Sequence, residues 1–451
     1  MLRVIAGGPG MTWCRARETR NILRQICTTY CTKARARDFN MWKQQFELRE
    51  PEFNLEYLLD EKNRDVIRKN VANRKGVGDI DRVVELWKRL NEEPKPDIQE
   101  KLKIAFLTAA SEIPNTSHPE SPVGDEDESR QVELIGAPRV EDGLKSIVEL
   151  GEHLGMLRVS NVNMTTGPST YYFTDQLAQL EQALVTFTIK FLLNKGFELV
   201  SVPDLLHPHV IEGCGFKTSG DVAQVYHLDP SRHERLCLAG TAEMALAGFL
   251  GNEVLNEEDL PKRLASVSRC YRAETSDADS ALGIYRVHQF TKVEMFCVTA
   301  SDVTESSDML QELLDIEKTL FSQLQLHFRV LDMSTAELGA PAHRKYDIEA
   351  WMPASQLWGE ISSTSNCTDF QSRRLHVKYR TRDGELRHCH TVNGTACAVP
   401  RTIIALCETH QTKDGSVRLP NVLWSHMNGQ TELRQPDQPT NLQWIKANRF
   451  T

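Results

Sequence analysis

Between Leu180 and Lys195 the apolar residues Leu180, Leu184, Phe187 and Phe191 recur at the spacing of one helical face, which predicts an amphipathic helix. Gly196 stops it, and Phe197–Pro203 reads as a strand that closes on proline. Upstream, residues 45–75 read as charged helix, followed by two 14-residue helical legs, Asp79–Glu92 and Asp97–Ala110. Pro94-Lys95-Pro96 separates the legs, because proline cannot continue a helix and restricts the residue before it. At ~1.5 Å per residue each leg spans only ~21 Å. Farther along, Arg272–Glu274 and Arg286–Glu294 read as two strands of a hairpin joined by a polar loop. Alternation puts Arg272 and Glu274 on one face of the first strand. On the second, Arg286, His288, Phe290, Lys292 and Glu294 share a face. Pro400 is tolerable only in the first turn of a helix, so a helix begins there after a strand ending near Asn393, and Arg401 points toward the open sheet face. Most later segments read as strands between polar loops. The fold class expected is α+β, an antiparallel β-sheet flanked by helices and preceded by a short α-helical hairpin.

At 451 residues the chain is long enough for two or three domains. No apolar run approaches the ~18–20 residues a membrane helix needs, so no membrane partner is expected. The first 37 residues hold eight cations (Arg3, Arg15, Arg17, Arg20, Arg24, Lys33, Arg35 and Arg37) against Glu18 alone. Such a bias reads as a mitochondrial transit peptide, with a basic RNA-binding arm as the alternative. The remainder is more acidic than the whole chain, whose net charge is −9. Broad, sequence-blind phosphate binding is therefore not expected, and a nucleic-acid substrate would need local patches. Lys62-Asn63-Arg64 with Arg68-Lys69, and Arg82 with Lys88-Arg89, are the candidates, although an ordinary solvated helix face is the safer reading of each.

Eleven scattered cysteines without a C-x-x-C pair suggest free thiols in a reducing compartment. Arg387-His388-Cys389-His390 looks metal-like, but alternation sends Cys389 to the face opposite the two histidines. No phosphate-binding G-x-x-x-x-G-K-[ST] is present, and Gly213-Cys214-Gly215-Phe216-Lys217-Thr218 lacks the glycine before its lysine. The hairpin face, with arginines, carboxylates and a ring, suits a nucleotide held by side chains.

The hairpin segment Arg272-Ala273-Glu274 … Arg286-Val287-His288-Gln289-Phe290-Thr291-Lys292-Val293-Glu294 resembles motif 2 of class II aminoacyl-tRNA synthetases, in the wording of the seryl-tRNA synthetases. Thr241-Ala242-Glu243 resembles that family's serine-binding T-A-E. Glu360-Ile361-Ser362-Ser363, with Ser365–Arg374 after it, resembles its ATP and magnesium segment. Asn393–Arg401 resembles motif 3, and the Leu180 helix with its strand and proline resembles motif 1, the family's homodimer interface. An amphipathic core helix fits the motif 1 periodicity equally well. Four motifs in family order over roughly residues 110–430 are specific where any one could be chance.

The resemblance implies activation of L-serine by ATP to seryl-adenylate, then transfer to tRNA(Ser), here mitochondrial tRNA in the matrix. By the same resemblance Arg272 bridges the α-phosphate and the serine carboxylate. Arg401 holds the γ-phosphate, and Phe290 stacks on adenine opposite Arg401. Glu274 accepts from the adenine amine, with Ala273, Val287, Ile361 and Ser362 completing the ATP site. Glu360 and Ser363 carry Mg²⁺. Thr241, Ala242, Glu243 and Glu294 receive the serine ammonium and hydroxyl, and Asn393 and Thr395 close the pocket. The T-A-E match points to the family's metal-free serine pocket rather than its zinc-dependent branch.

The implied layout is a transit peptide over residues 1–37 and a helical domain with a tRNA-binding arm over 38–112. A linker over 113–130, carrying Ile113–Gly124, and a catalytic domain over 131–451 follow. Two features depart from the family. The arm is short, and the loop Thr275–Leu282 lacks the arginine the family commonly places just before Gly283 and carries Asp277 and Asp279, which should repel phosphate; this leaves room for a paralogue partner in tRNA docking. An inactive synthetase-like RNA-binding or assembly paralogue is the rival reading. It should have lost Arg272, Glu274, Glu294, Glu360 or Arg401, and all five are present. A class II synthetase for another amino acid would lack T-A-E combined with H-Q-F-x-K-V-E.

Overall fold

The computed structural model describes residues 50–159, 165–220, 223–232, 235–274 and 283–436. The segment read as a transit peptide, residues 1–37, and the loop Thr275–Leu282 lie outside them.

After a five-residue helical segment at Leu55–Leu59, the helical region is built of α1 (Arg64–Asn73), α2 (Ile80–Glu92) and α3 (Pro96–Ser111). Asp79 caps α2 by accepting from the amides of Asp81 and Arg82, which satisfies donors a helix start leaves open. Pro96 sits in the first turn of α3, where its missing N–H costs nothing. Both legs follow the expected bounds closely. They are not a free rod, because Ile80, Val83 and Leu86 of α2 meet Leu102 and Phe106 of α3 in a small core with Ile67 and Val71 of α1. Several basic-patch cations are answered locally: Arg64 and Arg68 both reach Asp81, and Arg89 pairs with Glu85. Ile113–Gly124 then runs without helix or strand, as the three prolines predict.

The main sheet has eight strands: β1 (Arg130–Ile135), β2 (Glu198–Leu199), β3 (Lys262–Tyr271), β4 (Gln289–Thr299), β5 (Phe328–Asp332), β6 (Arg344–Met352), β7 (Leu357–Thr368) and β8 (His390–Ala398). Their spatial order is β1-β5-β6-β7-β8-β4-β3-β2. Every pair is antiparallel except β2 against β3. The predicted Phe197–Pro203 strand contracts to the two residues of β2, with Val200 N–H still donating to Ala265 O at 2.8 Å. The helix before it runs longer than its apolar stripe, as α4 (Asp175–Asn194), with Leu180 and Leu184 fully buried.

Alternation along β4 decides what each face of the sheet touches. Val293, Met295 and Cys297 enter a large core with residues of α4, α6 (Val303–Gln323) and α8 (Val399–His410). Phe296 and Val298 face the other way, into a second core with α5 (Ala242–Phe249) and Leu375 of α7 (Phe370–Leu375). Lys292 and Glu294 share that second face. The sheet therefore carries a charged strip on the side where α5 starts.

Alternation puts His388 and His390 on one face; the structure instead ends one strand at His388 and starts β8 at His390, so the two histidines part. His388 meets a Glu52 carboxylate oxygen at 2.8 Å, His390 meets the Ser306 hydroxyl at 3.0 Å, and Cys389 is buried. Gly213 closes a short helix, Pro208–Gly213, rather than a phosphate loop. No helix among the described residues is long and apolar enough to cross a membrane.

Candidate active site

A cleft with ≈ 500 Å³ of open space lies where the ends of β3 and β4 meet β7, β8 and the start of α8. Nine of the candidate residues line it: Arg272, Glu274, Val287, Phe290, Glu360, Ile361, Ser362, Thr395 and Arg401. The paired strands stop short of the hairpin-end residues read as strand, Arg272–Glu274 and Arg286–His288. β3 ends at Tyr271 and β4 starts at Gln289, so Arg272, Ala273 and Glu274 follow the strand as an extended edge. Arg272 N–H still crosses to His288 O at 3.0 Å, but Ala273 N–H turns away to Gln224 O, which ends the ladder.

Two cations organise the cleft. The Arg272 guanidinium lies 5.2 Å from the centroid of the Phe290 ring. Arg401 instead lies 4.3 Å from that of Tyr285, and donates through Nε to Tyr285 O at 3.2 Å. The second guanidinium arm reaches Glu360 O at 3.0 Å and Glu360 Oε2 at 3.2 Å. The Glu360 side chain keeps 43% of its exposure. Desolvation pushes its carboxyl upward, but the charges of Arg401, Lys345 and Arg272 outweigh this and hold it well below the usual range. Glu274 is nearly covered, with Arg286 3.9 Å away.

Deeper in, β8 and β4 bring Thr395 opposite Glu294 and Asn393 opposite Phe296. Glu294 is 1% exposed. One of its oxygens pairs with the Lys292 ammonium and accepts from the Thr395 hydroxyl. Its other oxygen, Oε1, is buried with no hydrogen-bond partner. A buried carboxylate oxygen left open is costly unless a ligand supplies the donor. Thr241 caps α5 by accepting from the Glu243 amide at 3.2 Å, and Ala242 is the first residue of that helix. Glu243 is 6% exposed and accepts from Gln371 Nε2 at 2.7 Å. Burial and the Glu294 charge lift its carboxyl to about 7, against the pull of Lys292, Gln371 and Arg272. Asn393 accepts through Oδ1 from the Cys367 thiol at 3.7 Å. Ser363 faces Asp347 across β6 and β7.

The family model described as tRNA synthetase class II core domain (G, H, P, S and T) matches residues 226–410. The mitochondrial serine–tRNA ligase of Mus musculus is 46% identical over 350 residues, covering 77% of this chain and 67% of that one. The serine–tRNA ligase of Treponema denticola is 35% identical over 416 residues, covering 82% of this chain and 97% of that one. Seryl-tRNA synthetase from Pyrococcus horikoshii, solved in complex with ATP, superposes with a TM-score of 0.77 at 30% identity, covering 85% of this chain and all of that one. The chain belongs to the seryl-tRNA synthetase family. The expected class II sheet with flanking helices and a helical hairpin before it is the architecture observed.

Against that family's expectations two site residues stand out that the motif reading gave no role. Lys292 is buried between Glu294 and Thr395, the latter 3.2 Å from its ammonium. Its place on the alternating face of β4 was the available signal. Tyr285 supports Arg401 from below, and its hydroxyl accepts from the Glu360 amide at 2.9 Å. It lies in the turn before β4, where no periodicity marks it. The described residues contain no cluster of three or more His, Cys, Asp or Glu suited to a metal. An ionised Glu360 and the Ser363 hydroxyl are nonetheless the hard oxygen donors Mg²⁺ accepts, since that ion commonly takes one or two protein ligands and the rest from phosphates and water.

Proposed function

We propose that the chain is an active serine–tRNA ligase. It joins L-serine to ATP as seryl-adenylate, releases pyrophosphate, and transfers the seryl group to the tRNA(Ser) of the mitochondrion. The observation that carries this reading is the unbonded, buried Oε1 of Glu294, which lies beside Thr395 and Lys292 of the cleft wall and within electrostatic reach of Glu243. A small ligand with an ammonium and a hydroxyl supplies the donors that pocket lacks, and Arg272 supplies the cation for its carboxylate.

The serine carboxylate is already ionised, so the first step needs position and charge neutralisation rather than a base. Arg272 lies between the cleft and the pocket and draws the α-phosphate and the carboxylate together. Phe290, Val287 and Ile361 offer the apolar walls for adenine, with Glu274, Ala273 and Ser362 for its polar edge and the ribose. Arg401 is placed to take the γ-phosphate, and Glu360 and Ser363 would hold Mg²⁺, which would neutralise phosphate charge there. The inactive-paralogue reading has no use for a buried carboxylate oxygen kept open.

The names of the mouse relative and of the Bos taurus relative, which is 45% identical, support mitochondrial residence. The basic composition of residues 1–37 extends this to the matrix. A reporter fused behind residues 1–37 should enter mitochondria; a cytosolic reporter would reject the transit reading. By family resemblance α4 forms a homodimer interface. The short α2–α3 arm, where Lys88 and Arg89 pair with Glu92 and Glu85 and Asp81 answers Arg64 and Arg68 of α1, leaves tRNA contact weak and salt-sensitive, with a role open to a paralogue partner.

The pH dependence of serine use tests the pocket. Glu243 titrates at about 7 in the free protein, so above that value it offers the serine ammonium a carboxylate and below it a neutral acid. kcat/KM for serine in ATP–pyrophosphate exchange should therefore rise with pH to a plateau above about 8, falling up to tenfold per unit below about 6. Glu243→Gln should lie low and flat across that range. A wild-type profile without this limb removes Glu243 from the ammonium site.

A further inference from the structure

The serine pocket is held from outside the catalytic sheet. At the end of β7 the pairing with β8 slips between Asn366 and Thr368, leaving Cys367 bulged, and Thr368 sits at φ +44°. A β-branched residue in the left-handed region is strained and persists only where its surroundings fix it. The fixing groups come from the helical region and its linker. Asn115 donates through Nδ2 to Cys367 O at 2.9 Å, Thr368 Oγ1 at 3.0 Å and Pro341 O at 2.8 Å. Arg74, from the end of α1 and 5% exposed, holds Asn115 in turn. It donates to Asn115 O at 3.0 Å and Ala342 O at 2.8 Å, and also reaches the carbonyls of Leu338 and Gly339.

The bulge feeds two pocket residues. The Cys367 thiol donates to Asn393 Oδ1, and burial keeps that thiol protonated by pushing it far above its ordinary value. Three residues past Thr368, Gln371 Nε2 donates to Glu243 while its Oε1 accepts from Thr391 of β8 at 2.7 Å. One short segment, residues 367–371, therefore sets both Asn393 and Glu243.

We propose that Arg74 and Asn115 are positioning residues for the serine pocket, acting through the strained Cys367–Thr368 bulge. The proposal rests on the serine-pocket reading above. It makes the docked helical region part of amino-acid recognition as well as a candidate contact for tRNA.

ATP–pyrophosphate exchange on the full chain tests it. Asn115→Ala should raise KM for serine about tenfold and leave KM for ATP within about twofold, because the pocket shifts while the nucleotide cleft does not. Adding Thr368→Gly to Asn115→Ala should recover most of the loss, since glycine holds positive φ without support. Should Asn115→Ala not fold, Arg74→Lys carries the same test: a point ammonium cannot span the carbonyls that the guanidinium fork holds. Asn393→Ala separates the two readings. Unchanged serine use in that variant refutes the pocket assignment. Raised serine KM there, with unchanged or parallel serine and ATP constants in folded Asn115→Ala or Arg74→Lys, overturns the positioning role.

Discussion

Arg272→Ala should reduce serine-dependent ATP–pyrophosphate exchange by at least ~10²–10³-fold, the usual cost of deleting one transition-state contact to a developing charge. Two anions must meet in the first step, and Arg272 is the cation with a geometric claim on both. It lines the nucleotide cleft with Phe290 under its guanidinium, and its charge also reaches the buried carboxyl of Glu243. The fold should survive, because the side chain lies at the rim of the cleft beyond the end of β3 and its backbone bond to His288 needs no side chain. Arg272→Lys should rescue little, since one ammonium cannot address two anions with planar, paired donors. A folded Arg272→Ala enzyme with near-normal exchange would mean that another group performs the bridging.

Glu294→Gln and Thr241→Ala should raise KM for serine by ten- to a hundredfold while changing KM for ATP little. The order of magnitude follows from removing a charged or hydroxyl partner from a desolvated pocket, worth ~1.5–3 kcal/mol for a bond to a charged group. Glutamine is the better probe at 294 than alanine. Glu294 neutralises Lys292 in a place where both side chains are almost fully covered, and losing one partner of a buried pair costs ~3–5 kcal/mol in stability; glutamine gives up the charge but keeps an oxygen to accept from the ammonium, whereas alanine removes both. Thr241 has a second duty as the cap of α5, so Thr241→Ser, which keeps the hydroxyl, serves as its control. Equal damage to serine and ATP constants would show that these residues serve the cleft as a whole and not an amino-acid pocket.

Much of the scaffold around these residues is written locally. Pro400 starts α8 because a helix tolerates proline only in its first turn, and this aims Arg401 into the cleft. The 3.6-residue stripe from Leu180 marks α4, and Pro94-Lys95-Pro96 marks the break between α2 and α3. Strand ends were less legible. Whether Ala273 continues a ladder depends on Gln224, a partner about fifty residues away that no alternation pattern announces. Motif wording, which places Phe290 and Arg401 about adenine, does not say what either side chain rests on. In the structure Arg272 covers Phe290 and Arg401 rests on Tyr285, an arrangement set by side chains that meet only once the sheet is closed. Lys292 stood in plain view on the charged face of β4, yet its burial between Glu294 and Thr395 required the bulged register of β8. Arg74 falls within residues 45–75, which the sequence marks only as charged helix. Apart from Asn115, its partner carbonyls lie more than two hundred residues along the chain, so only the packing of the helical region against the 338–342 turn reveals them.

The most direct measurement is ATP–pyrophosphate exchange by the purified chain with Mg²⁺ and one amino acid at a time. The account predicts exchange that depends on L-serine, with alanine rejected by ~10⁴-fold or more because it would leave the buried hydroxyl-binding groups unpaired. Absence of serine-dependent exchange from folded protein, or equal exchange with another amino acid, would contradict it.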